Sequence, residues 1–145
     1  MSMKKLGIAA DHAGFEYKQV ILEYLRSKGY QVEDFGTHSL DSMDYPDVIH
    51  PLAKKLESKV LDMGIIICGS GNGVNITANK YQHVRSALCW LPELGSLARQ
   101  HNDANCLALP ARFISSETAI EIVDSFLNAE FEGGRHQKRV DKISC

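Results

Sequence analysis

The sequence predicts one α/β domain: a five-stranded parallel sheet between two layers of helices, the three-layer, doubly wound, Rossmann-like arrangement. Three observations carry this expectation. Short apolar runs of strand character alternate with segments whose apolar residues recur at the helical period. The stretches joining successive strands are too long for hairpins, which calls for parallel crossovers and helices on both faces. The chain has 145 residues, 44% of them hydrophobic, enough for one core and too few for a second domain.

Each element follows in turn. Leu6-Gly7-Ile8-Ala9-Ala10 is a first strand, and apolar residues at Tyr17, Val20, Ile21, Tyr24 and Leu25 mark a helix that Gly29 closes. Residues 31–35 alternate like a strand. Asp44-Tyr45-Pro46 starts the next helix, with Asp44 as its expected cap and Pro46 in the first turn, and this helix runs to about Lys59. A buried strand over 63–68 precedes a helix over 73–80. Strand 84–89, helix 92–101, strand 106–109 and a helix from about 116 to 129 complete the series. Strand order is left open by the sequence. The chain closes on a basic segment, about 133–145, in which Arg135, Lys138, Arg139 and Lys142 face the single acid Asp141.

Charge and composition narrow the function. Sixteen Lys and Arg against eighteen Asp and Glu give a net charge of −2, so no general attraction to nucleic acid or an anionic membrane is expected. Uninterrupted apolar stretches such as 65–68 and 87–91 fall far short of the roughly 20 residues that span a bilayer. The apolar run after Met1-Ser2-Met3-Lys4-Lys5 is too short for an export signal, which predicts a cytoplasmic protein. Cys68, Cys89, Cys106 and Cys145 are widely spaced without a C-x-x-C pair and are expected as reduced thiols.

The strongest local signal is Cys68-Gly69-Ser70-Gly71-Asn72-Gly73, where a buried strand should turn into a helix. Three glycines in five positions let the backbone approach a ligand, and successive amides there form an anion nest at the positive end of a helix dipole. A tight turn with a buried cysteine would leave that density of glycine unexplained. The loop lacks the lysine of a Walker motif and has Val74 where a dinucleotide fingerprint needs glycine. A serine-hydrolase elbow would need glycine at Cys68 and Asn72. A cysteine phosphatase would need an arginine where Val74 and Asn75 stand. What survives is a thiol at the edge of an anion hole, a candidate base or nucleophile.

Other strand and helix ends add candidates. Asp11 and His12 follow the first strand, either as chemical groups or as a helix cap beside an exposed histidine. His101, with Asn102, ends a helix whose dipole would stabilise its cation in any case. Arg135 and Arg139 are four apart, which on a helix places both guanidinium groups on one face, suited to clamping a phosphate or forming a solvated charge run. Arg112 is a further candidate. His38, His50, His83 and His136 lack metal-ligand spacing, so no metal is expected.

Together these groups describe a site for a phosphorylated small molecule with an acid–base centre. Here the sequence resembles the type B ribose-5-phosphate isomerases, with the related allose-6-phosphate and galactose-6-phosphate isomerases. The blocks that carry the resemblance span nearly the whole chain: Ala10-Asp11-His12-Ala13-Gly14, Asp44-Tyr45-Pro46, Cys68-Gly69-Ser70-Gly71, Ala78-Asn79-Lys80, residues 99–105 and residues 132–137. Their order and separation are far more specific than any one glycine loop.

The resemblance implies a cofactor-free aldose–ketose isomerase acting on ribose 5-phosphate through an enediolate. It makes Cys68 the base between C2 and C1, the amides of residues 69–73 the hole for the enediolate oxygen, and Ser70 a proton shuttle. It assigns ring opening to His101 with Asp11 opposite, phosphate to His12, Arg135 and Arg139, and further substrate contacts to Tyr45, Asn102 and Arg112. It also implies a homodimer, or a dimer of dimers, whose sites pair Cys68 of one chain with His101, Asn102 and Arg112 of its neighbour. Asn72 stands where many members carry an aliphatic residue. Val74 stands where another branch carries a glutamate base, which puts this chain in the cysteine branch. Two rival readings are a hexose-6-phosphate isomerase using the same residues and a nucleotide- or phosphate-sensing module in which Cys68 is incidental.

Overall fold

The segment Met63–Cys68 lies in the middle of the sheet and is buried at every position, as a strand covered on both faces must be. Around it the computed structural model, which describes residues 3–144, has the predicted alternation. The elements are β1 (Lys5–Ala10), α1 (Phe15–Ser27), β2 (Gln31–Asp34), α2 (Pro46–Glu57), β3 (Met63–Cys68), α3 (Asn72–Ala78), β4 (Ser86–Leu88), α4 (Pro92–Asn102), β5 (Cys106–Pro110), α5 (Ser116–Asn128) and α6 (Arg135–Asp141). Every strand pair is parallel, and the order across the sheet is β2-β1-β3-β5-β4.

Alternation along the central strands divides the core in two. Ile65, Ile67, Leu107 and Leu109 face one layer with Ile21, Leu25, Ile122 and Phe126 of α1 and α5. Ile66, Cys68, Cys106 and Ala108 face the other, with Ile49, Leu52, Leu56 and Val74 of α2 and α3. Truncating any of the fully buried leucines or isoleucines to alanine would cost about 2–5 kcal/mol. Among the described residues no helix is long and apolar enough to cross a membrane.

Two local expectations are corrected. Asp44 makes no side-chain cap. Tyr45, already in helical conformation, is the cap residue of α2, and only the backbone carbonyl of Asp44 accepts from Asp47 N–H, at 3.1 Å. β4 is shorter than the apolar run 84–89. Val84 N–H turns back to the Tyr81 carbonyl and the Arg85 carbonyl accepts from both Asn105 and Cys106, so ladder pairing begins only at Ser86. Cys145 lies outside the described residues.

The strand order opens the site. β1 leads outward to β2 while β3 leads the other way, past β5, to β4, so the loops after β1 and β3 diverge. A crevice at such a switch point, beyond the carboxyl ends of the strands, is where doubly wound sheets take ligands. Asp11 follows β1 and Cys68 ends β3.

Candidate active site

Cys68 is 5% exposed at the tip of β3, and its Sγ accepts a hydrogen bond from Gly71 N–H at 3.2 Å. That contact needs the chain to fold back sharply. Gly71 does so at φ +79°, and a side chain there would also collide with Leu88. Asn72 N–H donates to Ser70 Oγ at 3.2 Å. Two of the five loop amides are therefore already engaged, whereas those of Gly69, Ser70 and Gly73 have no partner among the described residues. The expected five-amide hole narrows to these three.

Asp11 is buried, and its Oδ1 accepts from the amides of Ala13 and Gly14 at 2.9 and 3.2 Å, so it caps the turn into α1 while sitting in the crevice. Capping and chemistry are not alternatives here, because Oδ2 remains for a ligand. His12 Nδ1 accepts from Met43 N–H at 3.2 Å, which in the neutral ring leaves Nε2 as the N–H donor. The Tyr45 ring covers Gly73 so closely that a side chain at Gly73 would sit 2.8 Å from Tyr45 Cε1. The Arg112 side chain covers Gly69, where a Cβ would stand 3.1 Å from Arg112 Cδ. Asp11, His12, Tyr45, Cys68, Gly69, Ser70, Gly73 and Arg112 thus line one cleft of about 420 Å³.

The remaining candidates lie elsewhere. His101, Asn102, Arg135 and Arg139 line a second cleft, also about 420 Å³, between the end of α4 and α6. One chain does not place His101 in the cleft that holds Cys68 and Asp11. Arg112, expected to accompany His101 and Asn102 across an interface, belongs instead to the Cys68 cleft of its own chain. Asn72, expected beside the anion hole, lines a neighbouring groove with Ser70, Trp90, Leu91 and Phe113. This groove is apolar and open, with Trp90, Leu91 and Phe113 52%, 50% and 75% exposed.

The cysteines separate by environment. Cys89 and Cys106 are free thiols in the core, and burial pushes both up to about 12, which makes them inert packing. Cys68 alone among the described cysteines opens onto a polar cleft.

Spacing in the sequence missed one cluster. Glu132 Oε1 lies 3.5 Å from His136 Nε2 and 3.9 Å from His101 Nε2, and the two imidazoles stack with centroids 4.2 Å apart and planes 11° from parallel. These three have the donor atoms of a metal site. The guanidinium groups of Arg135 and Arg139 in the same cleft oppose a cation there and suit an anion. The separation of Glu132 and His136 by four residues was the available signal, and it becomes meaningful only with α4 packed alongside.

Comparison with known proteins follows the same lines. Residues 6–143 match the family model described as Ribose/Galactose Isomerase. The chain is 43% identical over 143 residues to ribose-5-phosphate isomerase B of Escherichia coli strain K12, covering 99% of this chain and 96% of the relative. Among solved structures, a ribose 5-phosphate isomerase of Thermotoga maritima superposes with a TM-score of 0.96 at 48% identity, covering 99% of both chains. Ribose-5-phosphate isomerase B from Mycoplasma genitalium with bound ribulose-5-phosphate gives 0.94 at 45% identity, covering 98% of this chain and 95% of that one.

Proposed function

The chain belongs to the ribose/galactose isomerase family, and from that premise we propose that it interconverts ribose 5-phosphate and ribulose 5-phosphate by proton transfer through an enediolate. The observation that carries this reading is the thiol of Cys68, held by the Gly71 amide in a cleft with Asp11, His12 and three unpartnered amides.

The chemistry follows the groups in order. Opening the furanose breaks the bond between C1 and the ring oxygen. That oxygen takes a proton from His101, and the anomeric hydroxyl gives one up towards Asp11. The Cys68 thiolate then removes the proton on C2, and negative charge grows on the carbonyl oxygen at C1. The amides of Gly69, Ser70 and Gly73 meet that charge, and donors preorganised in this way are worth about 3–4 kcal/mol each. Ser70 Oγ carries a proton between the two oxygens, and Cys68 returns its proton to C1. His12, Arg135 and Arg139 hold the phosphate, while Tyr45, Asn102 and Arg112 contact the sugar. The sequence of proton transfers asks for a base, an acid and oxyanion donors, and uses neither a metal nor an organic cofactor.

This scheme requires His101, Asn102, Arg135 and Arg139 to meet Cys68, and the partner that supplies them is a second copy of the chain. Two features support a homodimer, or a dimer of dimers, with shared sites. The two groups line separate clefts of one chain, and the exposed apolar groove of Trp90, Leu91 and Phe113 adjoins Ser70. A thiolate base also needs a reducing compartment, in keeping with the cytoplasm.

The test offers purified protein ribose 5-phosphate and allose 6-phosphate in parallel and follows ketose formation from each. A higher kcat/KM for the pentose supports the assignment. A preference for the hexose moves it to the hexose-phosphate branch, and no turnover of either overturns it.

A further inference from the structure

We infer that Glu132 and His136 are positioning residues for His101: His136 is the flat platform on which the His101 imidazole rests, and Glu132 is the counter-charge that meets its Nε2. The inference rests on the proposed role of His101 in ring opening.

The residue meant to move a proton at ring opening is half-exposed at the end of a helix, where an unsupported imidazole would sample several rotamers. His101 does not stand unsupported. His136, 8% exposed, is fixed on α6 and lies parallel to it at stacking distance. The backbone ties the third member in place, because Glu132 N–H donates to the Gln100 carbonyl at 3.0 Å, one residue before His101. A single carboxylate oxygen then faces Nε2 of both rings, at 3.9 and 3.5 Å.

The charges around the stack act on the buried ring. Two stacked imidazolium ions repel, so at most one is charged. Burial, followed by the charges of His101, Arg135 and Arg139, holds His136 below the ordinary histidine range, although Glu132 pulls the other way. His136 is the neutral partner. His101, the more exposed of the two rings, faces the same carboxylate and lines the cleft with Arg135 and Arg139. On its own helix Arg99 is already paired with Asp103 at 3.0 Å. A platform and a counter-ion that keep an acid within a fraction of an ångström of its target act on the rate of the step, since misplacement by about 1 Å can cost about 100-fold.

The experiment compares His136→Phe, His136→Ala and Glu132→Gln with wild type and with His101→Ala on ribose 5-phosphate. It also records the ring-proton NMR resonances of His101, identified by their loss in His101→Ala. His136→Phe keeps a flat ring and should retain kcat within about threefold. His136→Ala and Glu132→Gln should lower kcat by about 10- to 100-fold with KM changing much less. The His101 resonances should move in His136→Ala and be largely restored in His136→Phe. Equal loss in the Phe and Ala variants, or unchanged kcat in Glu132→Gln, overturns the inference; the Phe and Gln variants keep it testable if His136→Ala fails to fold. Full kcat in His101→Ala overturns the role of His101 itself, an outcome distinct from failure of its supports.

Discussion

The amide of Gly71 points its hydrogen at the sulfur of Cys68, 3.2 Å away, so the turn proposed to meet the anion also holds the proposed base. Cys68→Ser should preserve the fold and substrate binding, since the hydroxyl is close in size, but lower kcat by about 10²–10⁴-fold. Steady-state kinetics with ribose 5-phosphate checks this, and near-normal kcat would remove Cys68 from the mechanism.

Arg135 and Arg139 sit four apart on α6 in the same cleft. Replacing either with alanine should raise KM for the phosphorylated sugar, and lower kcat to the extent that phosphate binding orients the carbons. Any turnover of unphosphorylated ribose should barely change. An equal loss on both substrates would assign the arginines to assembly.

Separate clefts for Cys68 and His101 make subunit mixing informative. Cys68→Ala and His101→Ala should each be nearly inactive alone. In a two-fold dimer that shares its sites, random exchange makes half the dimers mixed, each with one intact site, and restores about a quarter of wild-type sites. No recovery after demonstrated exchange would reject the shared site.

Lys18 is fully buried on α1, and its Nζ lies 2.8 Å from Asp34 Oδ2 at the end of β2. Burial alone would raise the Asp34 carboxyl. The Lys18 hydrogen bond, the Gly36 amide and the charges of Lys18 and His38 outweigh it, and the group sits below the usual carboxylate range. A carboxyl lowered on folding adds stability above its unfolded pKa, near 4, and loses it as pH falls through the folded value. Asp34→Asn should cost about 3–5 kcal/mol at neutral pH by stranding the Lys18 charge. It should also flatten the acid limb of stability, measured by denaturant unfolding between about pH 2 and 5. An unchanged acid limb would deny the pair that role.

Most of the fold was legible because the central strands are unambiguous. Three consecutive isoleucines before Cys68, bounded by Gly64 and Gly69, read as a strand covered on both sides, and the glycine loop after it is the place the sequence singles out for chemistry. The order of strands was not legible, since nothing in β4 or β5 encodes which of them lies beside β3. The candidate residues could be named one by one from the sequence, but their arrangement could not. Neither the 3.6-residue period of α4 nor that of α6 tells that His101 and His136 stack, because that contact depends on how two distant helices pack. Lys18 was missed for a related reason. On a helical wheel it looks like an ordinary exposed charge, and only the approach of β2 turns it inward.

The position of β5 between β3 and β4 has a consequence for biosynthesis. The chain leaves the ribosome with β1, β2 and β3 first, while β4 has no neighbour in the sheet until β5 has followed it out. Throughout that interval the β3 edge from Gly64 to Cys68 offers unpaired backbone groups beside three isoleucines, a ready template for another nascent chain. The strand that ends in the proposed base is thus sealed only when residues 106–110 arrive.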